Sequence, residues 1–473
     1  MFYLFTAFFL TVMNVASIKI LLPEIMSDLS VELNWLTWVV NAYTLPLAAL
    51  IPIAGRLGDT YGPRRFFLAG ISVLGLGAFI CGFSSTLAWL IAGRVIQALG
   101  GAFLVPNSLS ILLSGVSGNQ RGRVLGIWGS IGASGAVMGP VIAGFLTDIF
   151  SWRGSFMVVS VLALCIVLLS AKKILSGLSK ETNRENTEKK KFDILGAFLM
   201  ISAIATLLLG ITLLPDLGWQ NRTIQLLLIT AVTFLFAFIK IEGRASNPLL
   251  DPSLLRKPRF SLGLLVGFIE QFVVAGTMLV MPIYFYSVLG YNAANTALML
   301  TPPAIAVALF SPVFGRLSDR IGPGPLISAG MVFRALSFLI LAQITITTGY
   351  PFIAAALALN GLGFSMTSTP ALNSALSAVG SGQHGVASGV HNMVRFTGAS
   401  AGTTIGGIVL YAYLPLSFSN ISGPISGFYQ ALLMSALVCL PGLAAGIYLV
   451  YHRFTRGTGE DTSSCLVAGK PVK

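Results

Sequence analysis

Fourteen stretches of this chain are apolar over about the length that a membrane helix needs. They run over residues 2–22, 34–56, 66–86, 88–111, 123–147, 154–172, 193–213, 224–241, 261–288, 294–314, 325–346, 350–375, 386–412 and 426–450. A helix of roughly 20 residues crosses the hydrocarbon core, and each backbone N–H and C=O inside it must be paired. So many such runs leave one fold class open, an all-α membrane protein. Composition agrees, since 55% of the 473 residues are hydrophobic and only 10% are charged. A soluble domain cannot bury that much apolar surface, so membrane lipid is part of the solvent.

An even number of spans puts both termini on one side, and charge says which. With an inside N-terminus, 23 of the 29 Lys and Arg residues fall in inside loops. Arg153 and Arg222 fall outside, and Lys19, Arg94, Arg334 and Arg395 fall within spans. Cytoplasmic loops carry such an excess. The expected location is therefore the cytoplasmic (inner) membrane, with both termini cytoplasmic. The net charge of +13 reads as a topology signal along an anionic leaflet, and nucleic acid is not an expected partner. Met1 leads directly into a span without a basic n-region or a small-residue cleavage site, which argues against a cleaved signal peptide.

The two ends of the chain repeat each other. Gly55-Arg56-Leu57-x-Asp59-x-x-Gly62-Pro63-Arg64-Arg65 returns 260 positions later as Gly315-Arg316-Leu317-x-Asp319-x-x-Gly322-Pro323. Each copy reads as a short charged loop between two apolar runs. Matching loops in two halves describe a duplicated membrane protein hinged at corresponding points, as in secondary transporters. The organisation that follows is an N-terminal six-helix bundle over 1–175 and a polar cytoplasmic linker over 176–192. A two-helix hairpin is inserted over 193–241, followed by a basic loop over 242–259. A C-terminal six-helix bundle over 260–452 and a cytoplasmic tail over 453–473 complete the chain.

Several span motifs extend the pattern. Trp38-Val39-x-x-Ala42-Tyr43-x-Leu45 lies in the second span, and Arg94-x-x-Gln97 followed by Gly100-Gly101-Ala102 in the fourth. The fifth carries Gly135-x-x-x-Gly139-Pro140-x-x-x-Gly144, Trp152-Arg153 opens the sixth, and Pro282-x-Tyr284 with Leu289-Gly290-Tyr291 ends the ninth. With the repeated loops, these motifs resemble the major facilitator superfamily over essentially the whole chain, and within it the fourteen-span drug:proton antiporter branch. The resemblance implies two six-helix bundles plus two inserted helices, alternating access, and proton-coupled export of amphiphilic drugs or related small molecules. It further implies that protons and a small amphiphilic substrate are the partners and that the fifth-span glycines, the antiporter motif, seal the two halves. A proton gradient supplies the energy, with no cofactor. A periplasmic adaptor stays open. No Gly-x-x-x-x-Gly-Lys-Ser/Thr loop suggests ATP drive, and no catalytic constellation suggests an enzyme. Four scattered cysteines and three histidines predict no metal site.

Each motif also has a direct physical reading. The loop residues Gly55, Gly62, Gly315 and Gly322 permit tight turns and close helix approach. Asp59 is suited to cap the adjoining helix or to pair with Arg121 or Arg123 in the next inside loop, a charged latch biasing one state. Asp319 repeats it, while Arg64 and Arg65 either support the latch or merely enforce topology. Gly135 and Gly139 fall four apart on one helix face, Gly144 follows five further on, and Pro140 kinks the axis.

Ionisable groups inside spans are costly and should face a cavity or a partner. Glu270 is the one acid placed deep in a span, about 15 Å from the inner surface by helix rise. A carboxyl at that depth is costly while charged, which suits it to take up and release a proton. It is the leading proton-coupling candidate, with Arg94 beside it in that role. The alternative is a structural carboxyl neutralised by a neighbouring Arg or Lys. In the first span, the acidic position usual in the resembling branch falls on Asn14, which cannot carry a proton. Lys19 either snorkels to the interface or lines the cavity and pairs with Glu270 or an anionic substrate group. Trp35, Trp38, Tyr43, Gln97, Gln271, Tyr284 and Tyr286 complete the expected cavity. Arg334 and Arg395 read as structural, with Arg395, His391 and Asn392 near the inner mouth. The alternatives to drug export are a lipid, siderophore or metabolite exporter or flippase with an anionic substrate, and a transport-inactive sensor or assembly partner.

Overall fold

A computed structural model of the chain describes residues 2–31, 33–116, 120–182, 193–244, 252–291, 296, 298–380, 383–412 and 426–467. Thirteen α-helices run through them. The first five are α1 (Phe2–Leu29), α2 (Leu33–Tyr61), α3 (Pro63–Gly82), α4 (Leu87–Ser114) and α5 (Arg121–Thr182). Then come α6 (Ile194–Leu217) and α7 (Arg222–Glu242). The last six are α8 (Pro258–Ile283), α9 (Thr301–Ile321), α10 (Pro323–Ala342), α11 (Tyr350–Ser377), α12 (His384–Ala412) and α13 (Ser426–Val467). Helix α5 is two membrane-length segments joined at Ser151, whose φ of 65° is non-helical, and beyond it Ser155 Oγ donates back to the Ala143 carbonyl. Among the described residues, eleven helices are long and apolar enough to cross a membrane, twelve when the bent α1 counts as one. Helices α9 and α12, of 21 and 29 residues, are not among them.

The repeated segments are not open loops. Helix α2 continues through Asp59 to Tyr61, and α9 through Asp319 to Ile321. The chain reverses at a single glycine in each case, Gly62 with φ 99° and Gly322 with φ 84°. Pro63 and Pro323 then open the next helices, where a missing N–H costs nothing and the fixed φ suits the first turn. The expected loops are thus helix ends broken by one left-handed glycine, the conformation that a side chain would strain.

Helices α1–α5 form one bundle. Its core runs from Leu4, Leu10 and Tyr43 to Phe67, Leu104 and Trp128. Helices α8–α13 form the second, around Phe272, Tyr284, Phe338 and Phe428. The α6–α7 hairpin packs through α6 against both α2 and α12, and Thr404 Oγ1 of α12 donates to the Ile211 carbonyl of α6 at 3.1 Å. A short π-helical turn, Tyr284–Val288, follows α8. In the expected span at 294–314, residues 296, 298 and 299 are already helical before α9 begins at Thr301. The linker expected over 176–192 is helical as far as Thr182 and the tail expected over 453–473 as far as Val467, and the rest of both lies outside the described residues.

Candidate functional site

The halves meet closely at the end carrying the repeated motifs, and they do so twice. Gly55 of α2 lies so near the Gly385 carbonyl of α12 that a methyl group has no room. Gly315 of α9 meets the Gly122 carbonyl of α5 in the same way. One turn on, Gly389 closes on Pro52, and Gly126 on Ser311 and Pro312. The absent side chains let backbones touch, and that is why these positions are glycine.

Both motif carboxylates act across this seam. Asp59 accepts hydrogen bonds from Gly385 N at 3.0 Å and Val386 N at 2.8 Å. Asp319 accepts from Gly122 N at 2.8 Å and Arg123 N at 3.0 Å. Each therefore caps the N-terminus of a helix in the opposite half, where unpaired N–H groups and the helix dipole favour a negative charge. Ser110 Oγ adds a bond to Asp59. The expectation of capping the adjoining helix, or of pairing with Arg121 or Arg123 side chains, is corrected: the Asp59 partner is α12, and the Arg123 backbone belongs to Asp319. His384 sits at the same seam, and burial with the Arg121 guanidinium pushes its imidazole down to about 4.

The antiporter-motif face does something else. Gly135 and Gly139 pack on α1, where a Cβ would stand 3.0 Å from the Phe9 carbonyl and 2.7 Å from that of Met13. Ser17 Oγ donates to the Gly139 carbonyl at 3.1 Å. Gly144 has nothing within 4 Å. Gly135 and Gly139, with Pro140 beside them, bind α5 to α1 inside one bundle. The inter-half seal lies earlier on α5, at Gly122 and Gly126.

A polar chain crosses the first bundle. Arg94, fully buried, donates from Nε to the Val39 carbonyl at 3.2 Å and from a terminal nitrogen to Gln97 Oε1 at 2.9 Å. Its guanidinium lies 4.6 Å over the Tyr43 ring, a favourable cation–π placement. Gln97 passes the chain on to Asn14 Oδ1 at 3.4 Å. Asn14 borders a small cleft with Met13 and Ser17, and its Nδ2 has no partner. Arg94, Gln97, Tyr43 and Asn14 are thus brought together as a fixed unit, and Tyr43 is buried beneath the arginine. Trp38 and Gln271 are half-buried. Tyr284 is a correction: it is 1% exposed in the second core, its hydroxyl donating to the Thr345 carbonyl at 2.8 Å. Lys19 falls at the bend of α1, and its side chain, like those of Trp35 and Tyr286, lies outside the described residues.

Glu270 is fully buried in the second bundle. Neither carboxylate oxygen meets a donor in good hydrogen-bond geometry. The groups that act on it are the guanidiniums of Arg395 and Arg334 and the hydroxyls of Thr367 and Ser368. Arg334 also donates to the Glu270 carbonyl at 3.2 Å and lies over the Phe364 ring. Arg395 is not at an inner mouth: its side chain, with His391, packs at Gly267 one turn before Glu270. The separation of Glu270 from Arg94 is complete, one residue in each bundle. Sequence reasoning missed this charge cluster, although a lone acid and two lone arginines in different spans are the signal for it.

Opposite the latches, Arg153 pairs with Asp28 at 2.7 Å and bonds the Ser84 carbonyl. Trp152 adds bonds to Asp28 and Glu24. This knot lies within the first bundle, so the inter-half hydrogen bonds of the repeated motifs belong to one end of the molecule.

Comparison with known proteins gives this arrangement its family. The sequence profile described as Major Facilitator Superfamily matches residues 4–403. The multidrug resistance protein Stp of Mycobacterium tuberculosis is 31% identical over 407 residues, covering 86% of this chain and 74% of Stp. The cephamycin export protein CmcT of Amycolatopsis lactamdurans is 32% identical over 410 residues, 85% of this chain and 82% of that one. The methylenomycin A resistance protein of Bacillus subtilis is 27% identical over 95% of this chain and 93% of its own length. Among solved structures, the human organic anion transporter MFSD10 (TETRAN) superposes with a TM-score of 0.66 over 94% of this chain and 98% of its own, at 14% identity, which speaks for the fold alone. Two helical bundles, duplicated Gly-Asp-Gly hinges and these relatives together place the chain: it is a multi-pass membrane transporter of the Major Facilitator Superfamily, not an enzyme.

Proposed function

We propose that this transporter exports small amphiphilic compounds, drugs among them, by alternating access, with protons moving inward in exchange. The observation that carries the reading is the reciprocal pair of inter-half caps, Asp59 on α12 and Asp319 on α5. Two bundles held together at one end by a few replaceable hydrogen bonds can rock apart there and close elsewhere. The names of Stp and CmcT, given to a resistance and an export protein, favour drug-like cargo and outward direction.

In the finer reading, α9 and α12 also cross the membrane and α5 crosses twice. That gives fourteen spans, six plus an inserted two plus six, in the drug:proton antiporter branch. The basic loop end faces the cytoplasm across the inner membrane. Glu270 carries the exchanged proton, and the Arg94–Gln97–Asn14 chain shapes the polar wall of the first bundle. Trp38 and Gln271 lie on the path of the cargo. No cofactor takes part.

Purified protein in liposomes under an imposed pH gradient tests this. Cationic dyes and anionic amphiphiles are offered in parallel. Uphill movement of cationic or neutral dyes, abolished by collapsing the gradient and in Glu270→Gln, is the expected result. Transport of anionic amphiphiles alone points to the metabolite or lipid exporter. Absence of transport in every condition points to a sensor or assembly partner.

A further inference from the structure

We propose that Arg395 is the positioning residue through which a proton on Glu270 loosens the Asp59 latch. The inference rests on Glu270 as the coupling carboxyl. Helix α12 carries both parts. Its first N–H groups, Gly385 and Val386, are held by Asp59, and Arg395 follows ten residues later, about 15 Å along the axis. There α12 faces Glu270 of α8.

The α8–α12 contact is built to slide. A Cβ at Gly267 would stand 2.8 Å from His391 Nε2 and 3.3 Å from Arg395 Cγ. Further on, Gly398 and Gly402 of α12 close directly on the Phe268 and Phe272 carbonyls. Glycine against backbone leaves few side chains to interlock, so charge fixes the register at this depth. Arg334 is anchored, with its bond to the Glu270 carbonyl and its place over Phe364. Both arginines carry an unpartnered Nε, but Arg395 is half-buried where Arg334 is fully buried. It is the guanidinium free to leave.

An ionised Glu270 attracts Arg395 strongly in a site with little water, and a protonated one does not. By linkage, the arrangement that keeps Arg395 close favours the carboxylate, and a proton favours the arrangement that lets it go. A proton reaching Glu270 thus weakens the hold on α12, whose far end pulls on the Asp59 caps. For antiport the sign is right. The latched carrier, once protonated, opens its basic end, while the unprotonated empty carrier stays closed.

Other titratable groups bear on the same contact and must be separated from Glu270. His391 of α12 has neither ring nitrogen partnered, and Cys439 of α13 lies near Arg334. Thr367 and Ser368 of α11 supply only hydroxyls. At the latch itself stand Asp59, Asp319 and His384. With its imidazole pushed down to about 4, His384 stays neutral over the range of the test.

The experiment measures the distance between spin labels on Tyr61→Cys and Ile321→Cys, one on each half at the latched end, with Cys165 and Cys465 replaced by serine. The full-length protein is held in lipid nanodiscs across about pH 5 to 8. The wild-type pair should lengthen as pH falls. Glu270→Gln should be long at every pH. Arg395→Gln should be long with little pH response, because the cation that holds α12 is gone, and Arg395→Lys should stay close to wild type. His391→Gln should not differ from wild type. A full wild-type response in Glu270→Gln overturns the inference and passes the sensor to Asp59, Asp319 or His391. A pH response of wild-type size in Arg395→Gln overturns the role of Arg395. Uphill transport in liposomes is recorded for the same variants. If Glu270→Gln pumps normally, the coupling reading itself falls. If it fails to pump while Arg395→Gln keeps the wild-type distance response, the coupling reading stands and this inference falls.

Discussion

The carboxylate of Asp59 caps Gly385, a residue 326 positions away in the other half of the chain, at 3.0 Å. The bond joins the end of one helix to the beginning of another, so it exists only while the halves are closed at this face. Asp59→Asn keeps a weaker acceptor and loses the charge that suits a helix N-terminus. The expected loss is about 1–2 kcal/mol of closure, in the range of helix-cap substitutions. Turnover in liposomes should fall several-fold while substrate affinity holds, because the cap is far from the buried polar groups. A change in affinity with unchanged turnover refutes the latch.

Gly139 and Gly144 share a motif but not an environment. A methyl at Gly139 meets the Met13 carbonyl at 2.7 Å, and one at Gly144 meets nothing. Gly139→Ala should force α5 from α1 and cost about 1–3 kcal/mol, as overpacking does. Gly144→Ala should be close to neutral. Thermal unfolding of both variants in detergent decides, and equal stability of the two would contradict the packing described.

Arg94→Lys should behave as a loss, not a conservative change. Lysine cannot bond the Val39 carbonyl and Gln97 at once while lying flat on Tyr43. The buried partners left unpaired should cost about 1–3 kcal/mol. Arg94→Lys and Arg94→Gln should therefore show similar drops in melting temperature. A wild-type stability in the lysine variant would mean that charge alone matters there.

Cysteine placed in the Ser176–Lys191 linker should react only with reagent supplied from the cytoplasmic side. Intact cells exposed to an impermeant maleimide should leave it unlabelled, and inverted vesicles should label it. External labelling overturns the orientation read from the basic loops.

Helix positions and the duplication were readable because each depends on local pattern: apolar length for spans, and a repeated glycine-proline break for the hinge. Partners across the fold were not. Nothing in the spacing around Asp59 names Gly385, since capping of a distant helix leaves no mark near the cap. The same holds for Glu270. Its depth was legible from position in a span, but Arg334 and Arg395 reach it from two other helices and were read as structural. Of the fifth-span glycines, Gly135 and Gly139 are a packing face, but against α1 and not across the halves, and Gly144 packs against nothing. Periodicity shows that a face is small and is silent on which helix fills it. Tyr284, taken for a cavity wall, went to the core because its hydroxyl found the Thr345 carbonyl.

The inserted hairpin breaks the twofold relation between the halves. Helix α6 lies along the seam where α2 meets α12, whereas among the described residues no hairpin packs on the matching seam of α5 and α9. Apolar side chains such as Leu309 and Val313 of α9 stay exposed there. The work of moving lipid aside during rocking is then unequal on the two flanks. Bilayer thickness and lateral tension act on this protein chiefly through the α5–α9 flank, so its speed should answer to the membrane it sits in more than a symmetric bundle would.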